Sequence, residues 1–239
     1  MIGGQPVVVA GGGWSRLVMR GCGRTLRQGK VLSTVRRTGP TDYDPGIGVR
    51  FGKVALRKRQ DGGLTVATSA TSISDITPDS LRFARQYMPA FRAERQNINL
   101  RLGSRFWQEL TRWQPGTPDK ISLYERIRVL APQPEATVVN TIASNLVQTL
   151  PQLKTLPIEQ SWGGYIDTLP DAIPVISAIG NQPGLFLATG FSGHGFGIGP
   201  GAGQLMADLV TNSTPSVDPH AFRFSRFTDG EVVRAQHWL

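Results

Sequence analysis

Cysteine is nearly absent from this sequence. Cys22 is the only one in 239 residues, which excludes an intramolecular disulfide and any cysteine-cluster metal site. Histidine is scarce as well, and His194, His220 and His237 are too scattered to form a zinc motif. No stretch approaches the roughly 18 consecutive apolar residues that a membrane span requires. The opening Met1-Ile2-Gly3-Gly4-Gln5-Pro6 places no basic segment ahead of an apolar run, so neither insertion nor secretion is expected and a reducing, cytoplasmic setting is. With 39% hydrophobic and 18% charged residues, the chain is neither disordered nor fibrous, and its length allows one large or two small domains.

Acidic residues are sparse in the first part of the chain. Residues 1–130 hold 22 Lys and Arg against 9 Asp and Glu, a charge of +13, whereas residues 131–239 hold 4 against 8, a charge of −4. The basic part could attract nucleic acid, anionic lipid or an acidic partner. Its arginines are dispersed among apolar residues, with no run of five or six basics and no nucleic-acid module, so nucleic-acid binding is not expected.

The run Pro6-Val7-Val8-Val9-Ala10 followed by Gly11-Gly12-Gly13 predicts a strand ending in a glycine turn. Its continuous apolarity is that of a strand buried on both faces of a parallel sheet, and such a strand needs neighbours. Residues 30–37 predict another strand. Residues 54–59 and 64–67 predict a hairpin across Gln60-Asp61-Gly62-Gly63, because Asp-Gly tolerates positive φ. Thr77-Pro78-Asp79 is a helix start, with a capping hydroxyl, a proline at the first position and an acid in the first turn. Further helices are expected over 100–113 and 138–150, and strands over 157–166, 173–176 and 184–189.

The last of these strands enters the most informative segment. From Gly190 to Gly203 there are seven glycines in fourteen residues, and the helix expected after them begins at Gln204 and ends near Asn212. Glycine at this density lets backbone amides approach a ligand, and free amides at a helix start favour negative charge. The segment is not a dinucleotide fingerprint, since no ribose-binding acid follows about 20 residues later. A tight turn that serves only helix packing remains the alternative, and His194 alone reads equally as a hydrogen-bonding loop residue.

Three ordered segments carry a family resemblance: Val7 to Ser15, Trp162 to Ile176 with Gly184 to Gly203, and Arg226-Phe227. Together they resemble the FAD-dependent oxidoreductases of the D-amino-acid oxidase and dehydrogenase, glycine oxidase and sarcosine oxidase superfamily. The resemblance implies FAD-dependent oxidation of a small amine or D-amino acid to the imine by hydride transfer to flavin, with Gly193, His194, Gly195, Phe196, Gly197 and Ile198 on the flavin-facing wall and Ala10 and Gly11 near the cofactor. It also implies that Gly195 opens the ligand's space, so that a valine there would fill it. The superfamily's N-terminal strand, glycine turn and helix for the ADP half has no counterpart here. The chain therefore resembles a C-terminal portion, either a truncated fragment or a subunit whose partner chain supplies the dinucleotide-binding half, in which case Val7 to Ala10 and Leu185 to Thr189 would be unpaired strand edges.

The arginine that clamps a substrate carboxylate in glycine oxidase-like members is missing from Gly164-Tyr165-Ile166-Asp167. Tyr165 is the candidate substrate-binding residue left there, against a structural tyrosine with a satisfied hydroxyl. Arg57 and Arg59 share a strand face and form a weaker candidate clamp, against a solvated face. Cys22 lies far from where some members attach flavin covalently, so a non-covalent cofactor is implied. The expected fold is α/β (α+β): an incomplete FAD-binding layer from residues 1–28 and 160–239, and a mixed-sheet substrate domain from residues 29–159.

Overall fold

The computed structural model describes residues 5–68, 72–111, 121 and 123–230. Two sheets organise it. The smaller contains β1 (Val7–Val9), β10 (Leu185–Thr189) and β9 (Val175–Ala178) in that order, with β1 and β10 parallel and β9 antiparallel. The larger has the order β3 (Val49–Phe51), β4 (Val54–Lys58), β5 (Leu64–Thr68), β2 (Gly29–Thr38), β6 (Ser72–Asp75), β7 (Ile98–Arg101), and β8 (Ile158–Thr168) pairs with β2. The helices are α1 (Ser15–Gly21), α2 (Pro78–Arg82), α3 (Ala84–Glu94), α4 (Ser104–Thr111), α5 (Leu123–Arg126), α6 (Ala136–Thr149) and α7 (Gly195–Val210). The mixed α/β class expected from the sequence is the class observed.

Strand β2 organises the larger sheet. Along one edge it pairs with β8 from Gly29↔Thr168 to Thr38↔Ile158. Along the other it pairs with β6 near its start, at Val31 and Leu32, and with β5 near its end, from Val35 to Arg37. The Asp61-Gly62 hairpin forms as expected, with Gly62 at φ 81°. One face of this sheet is closed by α6, whose Val138, Ile142 and Leu146 recur every four residues and bury against Leu32, Val54, Leu56, Leu64 and Val66. Each such side chain contributes about 1.5–3 kcal/mol by leaving water. Thr77 caps α2 as its sequence implies: its Oγ1 accepts from Ser80 N at 3.2 Å, and the Ser80 hydroxyl returns the contact to Thr77 N at 3.1 Å.

Alternation along β9 and β10 sends side chains into two separate cores. Val175 and Leu187 join Met19 and Leu26 from α1 and its following loop, whereas Ile176 joins Ala202, Leu205 and Met206 of α7. The buried Arg226 closes the first of these cores. Its guanidinium binds both oxygens of the buried Asp171 at 2.7 and 3.2 Å, donates to the carbonyls of Ile173 and Arg223, and stacks 4.3 Å from the Phe227 ring centroid.

Four expectations need correction. Leu100 and Arg101 end strand β7, which pairs parallel with β6, and the helix begins only at Ser104; residues 112 and 113 lie outside the described residues. Helix α7 begins at Gly195, so most of the glycine-rich segment is helical rather than loop; burial of its apolar side chains outweighs the poor helix propensity of glycine. Strand β1 is not buried on both faces, because Val7 and Val8 are 56% and 41% exposed. Strand β10 lies between β1 and β9 and is not an edge, which leaves β1 as the edge of the pair.

Arg226→Ala strips the buried Asp171 carboxylate of its partner. It is expected to lower unfolding stability by about 3–5 kcal/mol in urea titrations. A change below about 0.5 kcal/mol would mean that the pair contributes nothing.

Candidate functional site

The parallel strands β1 and β10 end side by side, and both run into glycine: Ala10 and Gly11 lead into a 3-10 turn at Gly12–Trp14, and Gly190 leads through a turn into α7. The carboxyl ends of adjacent parallel strands are where α/β folds place ligands. A polar junction fixes both turns. The Gln28 amide nitrogen donates to Gly12 O at 3.0 Å, to Asp167 Oδ2 at 2.9 Å and to Thr189 Oγ1 at 2.9 Å, while the Gln28 carbonyl accepts from Arg16 N at 3.0 Å. Asp167 Oδ2 accepts in addition from Gly190 N at 2.8 Å and from the Thr189 hydroxyl at 3.2 Å, and Asp167 O accepts from Ser192 N at 3.1 Å. Gly190, at φ 78°, also lies so close on Leu169 that no Cβ fits.

Beyond this junction the N-terminus of α7 is open. Among the described residues, Gly193, Gly195 and Phe196 donate to no backbone carbonyl outside the helix ladder and His194 occupies the cap position without a side-chain capping bond; Phe196 is fully exposed and Ile198 is 43% exposed. Free amides beside an uncovered aromatic ring fit a group that is planar, apolar and anionic at one edge. A Cβ built on Gly197 meets nothing within 4 Å, and one on Gly193 only touches Ile166. Gly195 differs: its Cβ would meet Phe191 Cβ at 3.2 Å, so packing against Phe191 accounts for that glycine. Within Gly193–Ile198 the unobstructed position is Gly197.

Tyr165 points elsewhere. It pairs with Leu32 in register and packs on the core beneath α6, on the opposite face of β8 from Ile166. The Arg105 guanidinium lies 5.2 Å and Lys30 Nζ 6.0 Å from its ring centroid. Lys30 Nζ also sits 4.3 Å over the Trp14 ring. Burial, reinforced by Arg105, pushes the Lys30 ammonium down to about 7. Burial alone would raise the Glu109 carboxyl, but Arg16 and Arg105 outweigh it and hold Glu109 below the usual range. Arg16 joins Asp79 of α2 and Glu109 of α4, so the helices that cover this side are tied to α1. Of the two arginines considered as a clamp, Arg59 lies past the end of β4 and pairs with Asp61 in its own turn, and Arg57 is exposed.

The structure thus brings Ala10 and Gly11 near the turn that precedes α7, and separates Tyr165 from Gly193–Ile198. Gln28, Lys30, Asp167 and Thr189 escaped the sequence reading. Only Lys30 carried a signal, a charge at a position that alternation turns toward the core side of β2.

The profile of the family described as DAO, FAD dependent oxidoreductase, matches residues 3–209. FAD-dependent oxidoreductase domain-containing protein 1 of Mus musculus is 33% identical over 104 residues, covering 42% of this chain and 21% of the relative. Glycine oxidase of Pseudomonas putida is 30% identical over 86 residues, covering 36% and 24%. The solved L-amino acid deaminase of Proteus myxofaciens superposes with a TM-score of 0.87 at 26% identity, covering 94% of this chain and 50% of the other. The chain therefore spans about half the length of that structure. Among the described residues, no helix is long and apolar enough to cross a membrane.

Asp167→Ala removes the acceptor shared by Gln28, Thr189 and Gly190. At about 1–3 kcal/mol for each buried group left unpaired, the expected loss is about 3 kcal/mol, with Asp167→Asn losing less because it keeps one acceptor oxygen. Urea denaturation of both variants measures this, and equal losses would contradict the shared-acceptor account.

Proposed function

This chain belongs to the DAO family of FAD-dependent oxidoreductases, and we propose that it forms the substrate-side half of an enzyme that oxidises an amine or amino acid. The carrying observation is the open N-terminus of α7, with the free amides of Gly195 and Phe196 beside an exposed aromatic ring and an unobstructed Gly197. FAD, when bound, supplies the oxidation: the substrate's C–N bond becomes an imine by loss of a hydride and a proton, and water hydrolyses the imine.

In this reading Gly193, His194, Gly195, Phe196, Gly197 and Ile198 wall the flavin, with Ala10 and Gly11 beside it. The backbone amides of Gly195 and Phe196 stabilise negative charge at its edge, and Phe196 excludes water. The smaller sheet with α7 belongs to the FAD-binding layer and the larger sheet to the substrate domain. Strand β8 goes with the latter, since it stays paired with β2 as far as Thr168. The handedness expected from the sequence was that of a D-amino acid. The name of the P. myxofaciens structure points to the L form, so both belong in the test.

A second reading, a subunit that needs a partner chain for the dinucleotide-binding half, has its support in β1. That strand is an edge and exposes Val7 and Val8, as a strand awaiting a neighbour does.

Flavin-loaded protein carrying this chain is expected to be yellow and to bleach anaerobically with one enantiomer of an amino acid. Gly197→Val is expected to weaken FAD binding at least ten-fold by fluorescence titration, while the melting temperature of the flavin-free chain stays within a few degrees. Unchanged FAD affinity in Gly197→Val would remove the helix start from the flavin site. Binding only after addition of a separate dinucleotide-binding chain would favour the second reading.

A further inference from the structure

Helices α2 and α3 roof one end of the larger sheet without filling the space beneath them. Among the described residues, a cavity of about 260 Å³ lies between these helices and strands β2, β6 and β7. Its walls are apolar: Phe83, Ala90 and Ile98 line it and are buried. Its rim is apolar too, since Leu81, Met88 and Leu100 border the cavity and are 62%, 39% and 55% exposed. An apolar lining that continues into exposed apolar side chains suits a ligand that enters from solvent and buries apolar surface.

The charge at the mouth has one sign. Arg82 and Arg85 are exposed and make no ion pair among the described residues. The Arg82 guanidinium lies 5.4 Å from the ring centroid of Phe83, which lines the cavity, so positive charge stands at the entrance. The two acids of α2 and α3 do not offset it. Asp79 is paired with Arg16, and the buried Glu94 accepts from the Asn97 amide. Deeper in the cavity, Asp75 is tied to Arg101, and the Tyr87 hydroxyl is shared between the carbonyls of Arg27 and Thr168.

We propose that this cavity binds a medium-chain fatty acid, with the tail between α3 and β7 and the carboxylate on Arg82 and Arg85 at the mouth. Guanidinium groups hold a carboxylate by paired hydrogen bonds as well as by charge. Size sets the tail. An apolar cavity of about 150 Å³ accepts benzene, so on that scale 260 Å³ takes about ten carbons, one short chain rather than the two long chains of a membrane lipid. The lining includes none of Ala10, Gly11 or Gly193–Ile198, so the cavity is separate from the proposed flavin wall, and its occupancy does not rest on the proposed oxidation.

The test is calorimetric titration of the purified chain with saturated fatty acids from hexanoate to tetradecanoate, each below its micelle concentration. Each added methylene is expected to tighten binding about four-fold. The gain is expected to stop at about ten carbons, where the cavity is full. The double variant Arg82→Glu with Arg85→Glu is expected to bind decanoate at least ten-fold more weakly, and decyltrimethylammonium is expected to bind the unaltered chain at least ten-fold more weakly than decanoate does. Affinity independent of chain length, a gain that continues through tetradecanoate, or equal binding of the two head groups would overturn the proposal. If the double variant does not fold, the chain-length series and the head-group comparison on the unaltered chain decide. Two further arms separate the alternatives. Sedimentation of the chain with phosphatidylglycerol vesicles, without decanoate binding, would replace the fatty acid by a membrane surface. Displacement of decanoate by either enantiomer of phenylalanine would make the cavity part of an amino-acid pocket and overturn it as a separate site.

Discussion

One carboxylate oxygen holds the candidate site together. Asp167 Oδ2 receives the Gln28 amide, the Thr189 hydroxyl and the Gly190 amide, and Gln28 in turn reaches Gly12 O. Four strands thereby share one polar knot: β2 through Gln28 just ahead of it, β8 through Asp167, β10 through Thr189, and β1 through the turn that follows it. A half-satisfied network of this kind would be worse than an apolar contact, so the positions of the members depend on one another. The glycine turns are placed by this knot, since turns with positive φ at Gly12, Gly190, Ser192 and Gly193 do not hold themselves in one shape.

From that constraint follows a division of labour between the faces of β8. Ile166 looks toward Gly193 and the open start of α7, whereas Tyr165 and Asp167 lie on the side of Lys30. The first side is open and rich in free backbone amides, which suits a planar cofactor. The second is crowded with Arg16, Arg105, Glu109 and Lys30, and Arg16 links α1 to α2 and α4.

The sequence was most legible where a local rule has one solution. The Asp61-Gly62 hairpin, the Thr77-Pro78 helix start and the helix over 138–150 all formed as expected, because turn chemistry, capping and helix signals act within a few residues. Leu100 and Arg101 were misjudged because pairing with β6, which no local pattern announces, claimed them for a strand. The glycine-rich segment was read as loop because propensity there opposes the helix that the core beneath Ile176 stabilises. A Cβ on Gly195 would meet Phe191, four residues back, a packing contact that the sequence pattern alone does not announce. Gln28 and Asp167 were invisible for a different reason: they meet across 139 residues, and neither carries a motif.

The central claim is that the free amides at the start of α7 meet a flavin while Asp167 keeps them in place. Amide nitrogen–proton NMR of the isotope-labelled protein, with and without FAD, tests this residue by residue. The account predicts the largest shifts at Gly193, Gly195, Phe196 and Gly197, smaller ones at Gly11 and Gly12, and loss of the whole pattern in Asp167→Ala under conditions where that variant stays folded. FAD-dependent shifts confined to other parts of the chain, or an unchanged pattern in folded Asp167→Ala, would contradict it.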